Sequence, residues 1–111
     1  MYNFELLKDE ETIEIFDDIY VRQGNNEKNT TIILTSQRLL FLDYLADDPN
    51  EILRIGRGVQ YLRAKEVYYQ AQLSDIEKII LDKLYKVTFN NGVSFDFENE
   101  NLYNLLIKMT K

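Results

Sequence analysis

Apolar and polar positions alternate over much of the chain, and the pattern is densest from Thr30 to Tyr44, TTIILTSQRLLFLDY. Two runs of β-branched, aliphatic and aromatic residues flank the polar break Thr35-Ser36-Gln37-Arg38, which predicts a strand, a tight reversal and a second strand. Both parities are apolar in each run: Ile32 and Leu34 against Ile33, then Leu40, Leu42 and Tyr44 against Leu39 and Phe41. A hairpin of this kind is expected to be covered on both faces, which makes it central to a mainly β domain.

Upstream, Ile13, Ile15, Ile19 and Val21 share one parity and Glu14, Asp18 and Arg22 the other, predicting a half-exposed first strand over 12–22. Asp17 interrupts the apolar parity, so a bulge or bend is expected near Asp17-Asp18. Phe4-Glu5-Leu6-Leu7 reads as a short lead-in turn or helix, and Gln23 to Asn29, QGNNEKN, as a loop by composition. After Tyr44 the LADDPNE stretch breaks the pattern, and Ile52 to Lys65, ILRIGRGVQYLRAK, follows with four cations and no acid. Gly56 and Gly58 disfavour one continuous helix there, at about 1 kcal/mol each. The 45–65 stretch is read as a long arm, with a short helix or an irregular extra strand within it.

Beyond the arm, Val67, Tyr69, Ala71 and Leu73 alternate with Tyr68, Gln70 and Gln72, giving a fourth strand that Ser74-Asp75 ends. Strands are expected again at Ile76–Leu81, at Leu84–Phe89 and from Val93 to Glu98, the last two joined by Asn90-Asn91-Gly92. Asn99 occupies a helix N-cap position, and Leu102, Leu105, Leu106 and Met109 recur at helical spacing behind it. The chain thus reads as about seven strands and one C-terminal amphipathic helix.

Composition narrows the function. The 111 residues are enough for one domain with its own core, and 45% hydrophobic with 29% charged is ordinary globular usage. Cysteine and histidine are both absent, which removes thiol chemistry, disulfides, the commonest general base and the commonest metal ligand. No secretory signal and no apolar run of roughly 18 residues is found, so a cytoplasmic protein is expected. The net charge of −6 disfavours nucleic acid and general attraction to an anionic membrane, although it leaves room for a local basic patch.

TIILTSQRLLFLDY, VYYQAQLSDIEKI, and VTFNNGVSFDF followed by ENLYNLLIKM resemble, in order, segments of the bacterial pleckstrin-homology-like (GRAM-like) domains. The resemblance covers nearly the whole chain, residues 1–111 as a single domain, except the 45–65 arm. It implies a strongly bent antiparallel sheet or barrel of about seven strands capped by the helix. Leu102, Leu105, Leu106 and Met109 are then expected to meet Leu34, Phe41, Val87, Phe95 and Phe97. The members that bind inositol phosphates carry several cations in the first hairpin's loop, where this chain has only Arg22 and Lys28, diluted by Glu27 and three asparagines. Phosphoinositide binding in that pocket is therefore not expected.

Arg54, Arg57, Arg63 and Lys65 are the candidate binding residues, interleaved with Ile52, Leu53, Ile55, Val59, Tyr61 and Leu62. Such a mixture suits an anionic lipid surface, where each cation contributes about 1 kcal/mol. The favoured use is neutralisation of the acidic Glu5–Asp18 segment, or of Asp47, Asp48 and Glu51 nearby, within the molecule or in a homo-oligomer. Asp17-Asp18, Asp47-Asp48 and the Asp96/Glu98 pair read as solvated acids rather than as metal ligands. Ser36, Ser74 and Ser94 have no histidine to activate them, and Gly56-Arg57-Gly58 fits no nucleotide-binding spacing. The expected role is non-enzymatic, without a cofactor: binding of a protein partner or self-association, with anionic-lipid binding as the alternative.

Overall fold

In the computed structural model, which describes residues 2–43 and 65–110, the strands are β1 (Tyr2–Asn3), β2 (Thr12–Gln23), β3 (Asn26–Thr35), β4 (Arg38–Asp43), β5 (Lys65–Gln72), β6 (Ile76–Leu81), β7 (Tyr85–Phe89) and β8 (Ser94–Phe97). Helix α1 (Glu100–Thr110) closes the chain, and one 3₁₀ turn, Leu73–Asp75, separates β5 from β6. The described strands make one strongly bent sheet in the order β1-β5-β4-β3-β2-β8-β7-β6. The sheet is open, with β1 and β6 at its ends, and not a closed barrel. β1 runs parallel to β5, and every other neighbouring pair is antiparallel.

Two local expectations are corrected. Phe4–Leu7 is neither helix nor the start of the fold, because Tyr2 and Asn3 already pair with Lys65 and Glu66. The Gln23–Asn29 stretch is mostly strand: Gln23 pairs with Asn26, leaving Gly24 and Asn25 as a two-residue turn. Gly24 has φ +61°, which supplies the positive-φ position such a hairpin requires. The polar composition that suggested a loop belongs instead to the solvated tip of a two-stranded ribbon.

The bulge near Asp17 is present. Pairing with β3 shifts between Phe16↔Ile32 and Ile19↔Thr30, and Asp18 takes a left-handed φ of +56°. The extra residue exchanges the faces of the strand, since side chains alternate with a period of two. Phe16, Ile19 and Val21 therefore point into the core, whereas Ile13 and Ile15, assigned above to the same face as Ile19, are exposed.

Ile32, Leu34, Leu39 and Phe41 join Val87, Phe89, Phe95 and Phe97 in the main core, which Leu102 and Leu106 of α1 complete and against which Leu105 and Met109 pack. Phe41 lies nearly parallel to Phe95, ring centroids 4.5 Å apart, with Tyr69 tilted against both. The opposite face of the β3–β4 hairpin buries Ile33, Leu40 and Leu42 under Tyr2, Phe4 and Val67. Apolar residues at both parities are thus explained by burial on both faces. Asn99 caps the helix, its side-chain oxygen accepting the Leu102 amide at 2.9 Å. The last hairpin turns through Asn90–Gly92, one residue more than the Asn-Gly step alone supplies, with Gly92 at φ +89°.

Candidate interaction surface and its supporting polar nodes

The candidate cations separate into two groups. Arg54, Arg57 and Arg63 lie outside the described residues, as does Asp47-Asp48, whereas Lys65 opens β5. The Lys65 ammonium donates to the Thr31 hydroxyl at 2.8 Å, and that hydroxyl donates to Asp17 Oδ1, also at 2.8 Å. Tyr2 closes the group by donating its hydroxyl to the same carboxylate at 2.8 Å. The Asp17 carboxyl is lowered from its ordinary value, first by the Tyr2 hydrogen bond and against the effect of burial, with Thr31 and the Lys65 charge adding to it. Lys65 is thus engaged with Thr31 within the molecule.

The two cations of the first hairpin are also engaged. Arg22 meets Glu27 at 3.3 Å, and Lys28 lies 3.8 Å from Asp43 and 4.3 Å from the centre of the Tyr68 ring. Burial, with the Asp43 charge beside it, pushes the Tyr68 hydroxyl up to about 12. Asp96 faces Lys86 at 3.9 Å across the β7–β8 ladder and pairs in register with Arg22. Exposed pairs of this kind contribute little stability.

A third cluster went unread in the sequence. Arg38 grips Glu10 bidentately, Nε to Oε2 at 2.8 Å and Nη2 to Oε1 at 2.7 Å. The same guanidinium donates to Gln70 Oε1 and to the Glu5 carbonyl. Thr35 donates its hydroxyl to Glu10 at 2.6 Å while accepting the amides of Gln37 and Arg38. The Glu10 side chain has no solvent exposure and that of Arg38 has 12%. Its carboxyl is held down at about 2, first by Arg38, with Thr35 and the Leu7 amide adding to this against the effect of burial. Ser36 and Glu11 exchange two more hydrogen bonds, and Gln37 donates to the Lys8 carbonyl. Together these bonds fasten residues 5–11 across the β3–β4 turn.

Among the described residues no group of three or more acidic side chains is placed to hold a metal ion, and every buried side-chain nitrogen and oxygen has a partner. Among the described residues, a depression of about 210 Å³ is lined by Arg22, Ile80, Asp82, Lys83, Leu84, Lys86 and Asp96. Ile80 and Leu81 beside it are 42% and 61% exposed, and both lie on β6, the last strand in the sheet order. Within the described residues, β7 covers one side of β6 and no strand covers the other. An edge that presents main-chain donors and acceptors next to bare apolar side chains can take up an added strand.

No family model matches the chain, and no match emerges from the curated proteins or from the solved structures. No described helix is long and apolar enough to cross a membrane.

Proposed function

We propose that the chain is a non-enzymatic interaction module of pleckstrin-homology-like plan that binds a protein chain along the outer side of β6. The observation that carries this is the exposure of Ile80 and Leu81 on an edge strand, while every buried side-chain nitrogen and oxygen among the described residues has a partner. The antiparallel run β5-β4-β3-β2-β8-β7-β6 followed by α1 supports the resemblance drawn from the sequence. Added strands bind through main-chain hydrogen bonds and select through pockets for alternate side chains, which needs no catalytic group. The anionic-lipid alternative gains nothing from Lys65, whose ammonium is already bonded to Thr31.

A photo-crosslinking amino acid at Leu81, in cells producing the full chain, is expected to yield an adduct above the 13.2 kDa of one chain. The same probe at the exposed Glu11, on the fastened N-terminal segment, is expected to give much less. Equal yields at both positions, or none at Leu81, would remove β6 as the binding edge.

A further inference from the structure

We infer that the protein chain taken up by β6 is a second copy, paired antiparallel across a two-fold axis at Ile80; this rests on the interaction reading above and gives it a partner. Side chains alternate along a strand, and residues paired across a two-fold axis must lie on the same face. A symmetric antiparallel register therefore has to place some residue opposite its own copy. Within β6 and the exposed bend Asp82-Lys83 that follows it, where the Asp82 amide donates to the Leu84 carbonyl, only a few such centres exist.

Centring on Glu77 or on Lys78 sets like charges face to face, which destabilises a sheet. Centring on Ile79 puts Glu77 against Leu81 and Lys78 against Ile80, and centring on Leu81 puts Ile80 against Asp82 and Ile79 against Lys83. The register through Ile80 differs from all of these. It places Ile80 opposite Ile80 and Ile79 opposite Leu81 within the strand and, at its ends, brings Lys78 towards Asp82 and Glu77 towards Lys83, each unlike pair occurring twice by symmetry. Glu77 to Lys83, EKIILDK, is thus its own complement in both charge and apolarity.

The exposure pattern agrees with this register. Ile80 and Leu81, the two bare apolar side chains of the edge, become the centre of the interface, and the exposed charges Glu77, Lys78, Asp82 and Lys83 become its ends. The irregular step of β6 lies between Ile76 and Lys78, so the run from Lys78 to Leu81 is free to extend a regular ladder. Two bent sheets would then join into one through their β6 strands, and the contact closes on itself rather than propagating as a fibre.

The test is the mass of the purified full chain by light scattering, from micromolar to millimolar, with thermal melting to confirm that each variant folds. The wild type is expected to reach twice 13.2 kDa. Lys78→Asp and Asp82→Lys each set like charges opposite one another twice, and each is expected to weaken association about tenfold. The double variant restores unlike pairs and is expected to regain the wild-type mass profile, as is an equimolar mixture of the two single variants. A wild type that stays monomeric throughout would overturn the inference, and so would dimers that Lys78→Asp leaves unchanged. Failure of the broader function reads differently: a monomeric chain whose Leu81 crosslinks to another protein in cells refutes only self-pairing. A monomeric chain without a Leu81 adduct refutes both.

Discussion

Arg38→Ala is expected to cost about 3–5 kcal/mol of folding stability, because it leaves the Glu10 carboxylate buried without its cation. The charge cannot be re-solvated in place, since its side chain has no exposure. Gln70 and the Glu5 carbonyl lose their donors in the same step. Denaturant midpoints measure the effect, and Glu10→Leu introduced alongside Arg38→Met is expected to recover most of it, because a buried pair removed together leaves no orphan charge. If Arg38→Ala alone costs under about 1 kcal/mol, the node does not hold residues 5–11 in solution.

The same node has a signature in acid. Glu10 moves from its ordinary 4.5 to about 2 on folding, so the unfolded chain takes up its proton first as the pH falls. Its contribution to stability is fully present above about 4.5, declines as the pH drops through that window, and is gone below about 2. A Glu10→Gln variant is accordingly expected to show a shallower fall in stability between pH 4.5 and 2 than the wild type, when measured by denaturation at fixed pH values.

Phe41→Ala is the second large effect, at about 3–5 kcal/mol. The Phe41 ring is 1% exposed and touches Phe95, Tyr69 and Tyr68, with centroids at 4.5, 5.9 and 6.3 Å. Its removal opens a cavity where β4, β5 and β8 converge, and Phe95 beside it is itself held, edge-on to Phe89 and tilted against Tyr69. Domains of this size have only about 5–15 kcal/mol in total, so the midpoint of thermal unfolding is expected to fall by more than about 10 °C. Phe41→Leu, which keeps most of the volume, is expected to lose less than half as much. An alanine variant melting within a few degrees of the wild type would show that this aromatic cluster is loosely packed.

Periodicity made most strands, the final hairpin, the Asn99 cap and the apolar stripe of α1 legible, because each depends on residues close in sequence. What escaped depends on distance. Glu10 looked like one more acid in an acidic run, and only its approach to Arg38, 28 residues on, makes it a buried partner. The fastening of Tyr2 to Asp17 and the parallel pairing of β1 with β5 leave no local trace either. Asp17 did announce a bulge, yet which side of it would keep the core face was decided by pairing with β3, and so Ile13 and Ile15 ended up outside. Of the candidate cations, the described Lys65 turned out to be engaged within the molecule, while the edge formed by Ile80 and Leu81 passed for an ordinary strand. Its exposure follows from its place in the sheet order, which no window of sequence encodes.

The seam between β2 and β8 has a consequence for how the sheet is assembled. On one side, β2 to β5 pair as successive neighbours, and on the other β6 to β8 do the same with α1 following. The two meanders meet in a single register pair, Arg22 with Asp96, from distant parts of the chain. Closing so long a loop is entropically slower than forming the short turns that join β2 to β3, β3 to β4, β6 to β7 and β7 to β8. The two meanders nevertheless share one core, in which Phe41 of β4 lies against Phe95 of β8, so side-chain packing across the sheet holds together what the main-chain ladder joins at one register pair.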